Sequence, residues 1–253
     1  MEIKISDIKN EFALTDICNI DDIINKYKSD NRTGVVKLVE KYEKEKHKYL
    51  QELDRTEQMK SYEKQYSEYN YICGIDEVGR GPLAGPVVAC AVILPKDCNI
   101  LYINDSKQLT EKKREELYDQ IMEQAIAIGV GSIPPNKIDE MNILQATYEA
   151  MRQAIGNLSV KPDLLLNDAV TIPNVAIKQV PIIKGDAKSI SIAAASIVAK
   201  VTRDRLMTAY DKIFPQYGFA DNKGYGSKEH IEVLKRLGPT PIHRASFIKN
   251  FVS

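Results

Sequence analysis

Tyr71-Ile72-Cys73-Gly74-Ile75-Asp76-Glu77-Val78-Gly79-Arg80-Gly81-Pro82-Leu83-Ala84-Gly85-Pro86, running into Val87 to Leu94, is the stretch on which the fold turns. Tyr71 to Asp76 is a short apolar run that ends in a carboxylate, and Val87 to Leu94 is a second apolar run stopped by Pro95. Both read as strands. Glycine and proline fill the interval and leave no room for a helix, so the two strands are expected to pair antiparallel.

Working outward, strands and helices alternate. Thr110 opens a charged helix to about Gln124, Ala125 to Ile133 is strand-like up to Pro134-Pro135, and Asn142 to Ile155 has helical spacing. Asp163 to Asn167 is a buried strand ending at Asp168, Val175 to Ile183 is another strand, and Ser189 to about Ile213 is a helix rich in small residues. Ser227 to Leu237 is a last helix. The predicted class is a mixed α/β domain with flanking helices.

Residues 1–70 differ in kind: their only glycine is Gly34, and they contain no proline. Ile20, Ile23, Ile24 and Tyr27 repeat at helical spacing, as do Val35, Val36, Leu38, Val39 and Tyr42, with a turn across Asp30 to Gly34. This predicts a small all-helical extension over 1–70, ahead of a main domain over 71–253.

Acidic residues close three apolar runs: Asp76 with Glu77, then Asp168, then Asp186. Ligands gather at strand ends in open α/β sheets. Four carboxylates meeting there would repel strongly unless cations compensated them, and all-oxygen ligands select Mg²⁺ or Mn²⁺ over zinc. Two such ions about 4 Å apart clamp both the attacking and the leaving oxygen of a phosphodiester. Neighbours on a strand face opposite sides, so Glu77 can join Asp76 only if it lies beyond the strand end. Taken singly, an acid after a strand is more often a helix cap or a solvated turn.

Gly79-x-Gly81-x-x-Ala84 matches a relaxed dinucleotide fingerprint. Context excludes that use, because a turn and a strand follow instead of a helix whose N-terminus would hold pyrophosphate. Asp76 and Glu77 would also repel the ligand. Close backbone approach to a sugar, with Arg80 reaching a phosphate, fits the glycines better.

Composition narrows the class further. The 253 residues are 43% hydrophobic and 28% charged, as in a globular protein, and no apolar run reaches the ~18 residues of a membrane helix. The first residues lack the pattern of a signal peptide, so a cytoplasmic protein is expected. Cys18, Cys73, Cys90 and Cys98 lack metal-ligand spacing and read as reduced structural thiols. Net charge is zero, yet residues 184–253 hold 12 Lys+Arg against 6 Asp+Glu, while 71–183 hold 10 against 14. A basic surface beside an acidic site suits a protein that meets phosphates and holds cations.

Gly74 to Val87 resembles the signature of bacterial ribonuclease HII. So do Asp105-Ser106-Lys107, the Leu-Leu-Asn-Asp block ending at Asp168, Lys184-Gly185-Asp186, Ser191 to Asp204 and Gly224-Tyr225-Gly226. The resemblance runs from about Tyr71 to the C-terminus. It implies a ribonuclease H-like mixed sheet, and catalytic, metal-binding Asp76, Glu77, Asp168 and Asp186 with two Mn²⁺ or Mg²⁺ ions. It implies that Gly79-Arg80-Gly81 reads the ribonucleotide 2′-OH, that Tyr225 stacks on the sugar at the RNA–DNA junction, and that Lys107, Lys184, Lys200 and Arg203 meet phosphates. Asn167 and Ala169 depart from the pattern, where many members have an aliphatic residue and glycine.

The implied partners are RNA–DNA hybrids and duplex DNA containing ribonucleotides, with no membrane and no small-molecule cofactor. The implied reaction is a metal-dependent cut on the 5′ side of a ribonucleotide, leaving 5′-phosphate and 3′-hydroxyl ends, as in ribonucleotide excision during DNA replication and repair. A monomer is expected, and no heptad seam long enough for a coiled coil is evident. Ribonuclease HIII is the nearest rival, disfavoured by Arg80 where lysine is usual. A catalytically silent hybrid binder is a second, disfavoured by the intact acids. For the small-residue helix from Ser189, tight core packing is the expected use, and Arg203 with Asp204 could equally form a structural ion pair. His230 and His243 lack a metal-ligand partner and are expected at the surface or facing phosphate.

Overall fold

The computed structural model describes residues 3–252, and the chain folds as two compact units, one up to Gln58 and one from Met59. In the first unit, α1 (Ile5–Leu14), α2 (Ile20–Tyr27) and α3 (Thr33–Met59, whose last residue belongs to the second unit) are all helical, as the periodicity requires. Ile8, Phe12, Ile20, Ile24, Tyr27, Val35 and Val39 form its core. The ring of Phe12 stacks on Tyr42 at 4.7 Å between centroids. The reading of spacing missed α1, although Ile5, Ile8 and Phe12 carry the helical period.

The second unit begins ahead of the change in texture at Tyr71. Its first helix, α4 (Ser61–Gln65), carries Glu63, whose Oε1 accepts from Ser189 Oγ at 2.6 Å and from the Ser191 amide at 3.1 Å. Tyr62, Tyr66 and Tyr69 pack against Ile72, Leu164 and Ile192. These contacts bind residues 59–70 to the sheet.

Five strands make that sheet, in the order β3-β2-β1-β4-β5. They are β1 (Ile72–Val78), β2 (Val87–Ile93), β3 (Ala127–Ile133), β4 (Leu164–Asp168) and β5 (Lys178–Ile182). The pairs β1–β2 and β2–β3 are antiparallel, as the short glycine- and proline-rich connection predicts, while β1–β4 and β4–β5 are parallel. Helices α5 (Glu111–Gln124), α6 (Pro135–Met141) and α7 (Ile143–Gly156) follow β2 and β3. The long α8 (Ile190–Ile213), the short α9 (Phe219–Asn222), α10 (Lys228–Leu237) and α11 (Ala245–Ile248) complete the unit.

Alternation along β1 sends Cys73 and Ile75 to the face covered by Ala146, Ala150, Met151 and Ala154 of α7. Ile72 and Gly74 turn to the opposite face, under α8, where Ile192 packs on Ile72. Alanines 193, 194, 195 and 199 are all fully buried in α8 and allow it to lie low on the sheet. Gly74 makes the approach closest, since a Cβ there would sit 2.1 Å from the Ser191 carbonyl carbon. Cys73, Cys90 and Cys98 are buried free thiols, and Cys18 is exposed. Among the described residues no helix is long and apolar enough to cross a membrane.

Gly74→Ala should lower stability by about 1–3 kcal/mol, the usual cost of overpacking a rigid contact. A denaturant melt of the full chain reads this as a lower midpoint, and an unchanged midpoint would refute the close α8–β1 contact.

Candidate active site

The parallel register pairs Ile75 with Asn167, so its next step sets Asp76 beside Asp168 on neighbouring strands and on the same, α8-facing side. Asp76 is 5% exposed. Burial, Glu77 and Asp168 push its carboxyl well above the ordinary range, against a hydrogen bond from Ser196 of α8. Asp168 Oδ1 accepts from the Gly185 amide at 2.7 Å, which ties the end of β4 to the turn bearing Asp186. Asp186 is also buried and its carboxyl is raised, first by burial and then by Asp105 and Asp168.

Glu77 departs from expectation. It lies inside β1, paired with Ala89, and not past the strand end. The pleat therefore places it on the face opposite Asp76, where its Oε1 meets Arg80 Nη1 at 3.2 Å. Burial raises its carboxyl, Arg80 lowers it and Asp168 raises it further. Among the described residues no three acidic, histidine or cysteine groups converge closely enough to hold a metal ion. The acids share an electrostatic neighbourhood without forming a closed cage.

The loop after β1 rests on two buried arginines. Gly79 has φ +88°, a left-handed conformation that favours glycine. Arg244 is fully buried, and its guanidinium donates to the carbonyls of Gly79 (2.5 Å), Arg80 (2.9 Å) and Gly85 (2.9 Å). Arg203 is likewise fully buried and donates to Pro86 (2.9 Å), Lys223 (2.9 Å) and Ala84 (3.1 Å). Every one of these acceptors is a backbone carbonyl. Burial brings Arg244 down to about 9, with Arg203 adding to the effect, and burial also lowers Arg203. The Tyr225 ring stands against the same loop, its Cε1 3.9 Å from where a Cβ on Gly81 would lie, and the residue is 45% exposed.

Two predicted phosphate contacts are corrected. Arg203 has no solvent-facing donor because its guanidinium is committed to three carbonyls inside the protein. Nor does it pair with Asp204. That carboxylate takes Lys200 Nζ at 2.7 Å, one helical turn away, and Arg114 at 4.0 Å. Lys200 is thereby turned from solvent, with its side chain 17% exposed and burial lowering its affinity for a proton. Lys107 and Lys184 are exposed. Burial opposes the charge of Lys107, but Asp105, Asp76, Asp186 and Asp168 raise it overall, which places it within reach of the acids' field. His230 and His243 are buried rather than at the surface.

Several participants were missed as individual residues. Ser106 Oγ lies 2.8 Å from Ser196 Oγ, joining the Asp105-Ser106-Lys107 turn to the serine that bonds Asp76. Asp105 caps its own turn through the Lys107 amide at 2.9 Å and shares a side-chain hydrogen bond with Asp186. Arg244 gave no signal, because the carbonyls it holds lie far away in sequence.

The chain is similar to known proteins along almost its whole length. A family model described as Ribonuclease HII matches residues 73–250, and one described as Ribonuclease HII N-terminal domain matches 4–67. The ribonuclease HII of Lachnoclostridium phytofermentans is 67% identical over 253 residues, 100% of each chain. The crystal structure of ribonuclease H2 from Pyrococcus horikoshii OT3 is 30% identical with a TM-score of 0.59, covering 70% of this chain and 93% of that one. Bst-RNase HIII in complex with Mn²⁺ shares the fold at 17% identity and a TM-score of 0.55, over 70% of this chain and 67% of that one. The mixed sheet with its flanking helices is thus the ribonuclease H type, and the chain belongs to the ribonuclease HII family of hydrolytic endonucleases.

Proposed function

We propose that this enzyme nicks duplex DNA on the 5′ side of embedded ribonucleotides and also cuts the RNA strand of RNA–DNA hybrids, clearing ribonucleotides in the cytoplasm during DNA replication and repair. The observation that carries this reading is Asp76 beside Asp168 at one sheet edge, flanked by a rigid glycine loop with Tyr225 against it. Hydrolysis breaks the bond between phosphorus and the upstream 3′ oxygen. Water supplies the new oxygen on phosphorus and a proton to that 3′-hydroxyl, leaving a 5′-phosphate on the ribonucleotide.

Asp76, Asp168 and Asp186 would hold two divalent cations, Mg²⁺ or Mn²⁺, and Glu77, whose carboxyl already feels Asp168 and Lys107, would have to leave Arg80 to join them. The donor set fits: the carboxylates are hard oxygen ligands, and burial with mutual repulsion raises Asp76 and Asp186, a cost that a cation relieves. Bst-RNase HIII, whose structure contains Mn²⁺, has the same fold. Bound cations supply Lewis acidity at the phosphate and make water more acidic. The chain's own residues do the rest. Backbone groups of Gly79 to Gly81 approach the 2′-OH, the group that separates RNA from DNA. Tyr225 covers the sugar at the junction, and Arg80, Lys107 and Lys184 meet phosphates. His230 and His243 are bonded within the protein, so neither serves as the base.

A DNA duplex holding one ribonucleotide, offered beside a long RNA–DNA hybrid with Mg²⁺ or Mn²⁺, tests the specificity. The lone ribonucleotide should be nicked at its 5′ side, and Asp76→Asn should abolish the cut. Cleavage confined to the long hybrid would refute the proposal, and binding without a cut would favour a silent module.

Cation-free protein should melt at higher temperature as pH falls from 8 toward 6.5, above the range in which the buried His230 and His243 begin to oppose the effect. The raised Asp76, Glu77 and Asp186 carboxyls stabilise the fold while protonated, and that contribution is lost as pH rises through their folded values. Asp76→Asn should raise the melting temperature of the cation-free protein at pH 8, by about 2–4 °C per kcal/mol of repulsion removed. A fall would count against the crowded-acid site.

Lys107→Ala should lower the slope of log affinity against log salt by roughly 0.9, the contribution of one phosphate contact. Arg203→Lys should leave that slope alone and lower the melting temperature instead.

A further inference from the structure

The two buried histidines form a chain whose direction is fixed by its ends. The Thr240 amide donates to His243 Nδ1 at 2.9 Å, and Thr240 Oγ1 lies 2.8 Å from the same nitrogen. Nδ1 of His243 therefore carries no proton, and its neutral ring must bear one on Nε2. At the other end, His230 Nδ1 lies 2.8 Å from the Tyr225 carbonyl, which can only accept. Nδ1 of His230 thus bears the proton and its Nε2 is free to accept. The two Nε2 atoms are 3.0 Å apart. Only one arrangement satisfies every atom: Thr240 N–H to His243, His243 to His230, His230 to the Tyr225 carbonyl.

The chain ends on the peptide that carries the exposed tyrosine. The Tyr225 carbonyl also accepts from the Ser227 amide at 2.9 Å, and the preceding Gly224 carbonyl accepts from the Leu83 amide at 2.8 Å. His243 itself bridges to Ala84 as an isolated β contact. Both backbone neighbours of the Tyr225 ring are thus held, while the ring stays open beside Gly81.

We propose that His230 and His243 are positioning residues for substrate: their one-way hydrogen-bond chain fixes the Tyr225 peptide so that its ring meets nucleic acid in a prepared orientation. This rests on the reading of Tyr225 as a substrate contact. The gain lies in preorganisation, since a ring already oriented does not spend binding energy on ordering. A proton added to either ring breaks the chain, because it places N–H against N–H at Thr240 or between the two Nε2 atoms.

The surroundings keep both rings neutral. Tyr217 and Phe219 pack around them at ring-centroid distances of 5.2 to 6.3 Å. The Tyr217 hydroxyl is occupied by the Gly238 carbonyl at 2.5 Å. Of the charged neighbours in sequence, Arg244 is committed to the glycine loop and Glu229 is held at the N-terminus of α10 by Ser227. Burial lowers His230. It brings His243 down to about 4, with His230 adding to the effect. Both folded values are depressed, so the chain is intact above the unfolded value near 6.5 and is lost as pH falls toward about 4.

The test uses the full-length enzyme and a DNA duplex with one embedded ribonucleotide. His230→Leu should raise KM about tenfold, the scale of one lost stacking contact, and change kcat by less than about twofold. His230→Asn keeps a donor near the position of Nδ1 and should recover most of that loss. Added to Tyr225→Ala, the leucine substitution should cost nothing further. Nitrogen-15 NMR of the free protein at pH 7.5 should show His230 protonated on Nδ1 and His243 on Nε2, a readout independent of whether any variant folds poorly.

Opposite tautomers, an unchanged KM in His230→Leu, or losses that multiply with Tyr225→Ala would each overturn the proposal. If Tyr225→Ala alone leaves KM unchanged while His230→Leu raises it, the substrate role of Tyr225 fails. The histidine proposal then falls with it, under a signature of its own.

Discussion

Carboxylates in register on adjacent parallel strands, under a helix that excludes water, cannot both ionise without compensation. Asp76 and Asp168 stand in that relation because β1 and β4 pair parallel and end at the same edge. Asp186 and Asp105 enlarge the concentration of charge from the neighbouring turns. Burial together with this repulsion raises the carboxyls of Asp76 and Asp186 and costs stability, which a domain held together only for packing would not retain. The proposed cation site and the crowding of the acids are two views of this one constraint. Lys107 lends part of the compensation, and Arg80 takes up Glu77 on the other face.

Around the acids, the sheet supplies position and the loops supply shape. Gly74 and the alanines of α8 allow the helix close enough for Ser196 to bond Asp76, and Ser106 joins the same chain from the opposite loop. The glycine loop beyond β1 gains its rigidity from Arg203 and Arg244. Guanidinium groups matched to carboxylates would be electrically spent. Matched instead to backbone carbonyls, they give each guanidinium nitrogen a partner and keep a net positive charge under the surface proposed to meet phosphate. That cost is visible in the lowered proton affinity of Arg244.

Much of this architecture was legible in the residues. The antiparallel β1–β2 pair followed from glycines and prolines that leave no space for a crossover. The helical character of α2 and α3 followed from apolar spacing. Ala169, a departure from the resembled pattern, has φ +55° and occupies the left-handed region that glycine favours. The expectation about Glu77 failed for a local reason: β1 extends to Val78, so pleating overrides the break that the glycines suggested. Arg203 and Lys200 were assigned to phosphate from the resemblance, and a matching residue type does not distinguish a solvent-facing cation from one folded inward.

The sequence by itself determined the element types, the identity of the acidic strand ends and the family, because these are set by local spacing and by an uninterrupted block of residues. Tertiary structure alone decided which acids stand side by side, that Arg244 holds Gly79 from more than half the chain away, and that two histidines share a single proton direction. Those relations depend on register, helix approach and ring orientation between distant segments. No periodicity along the chain encodes them.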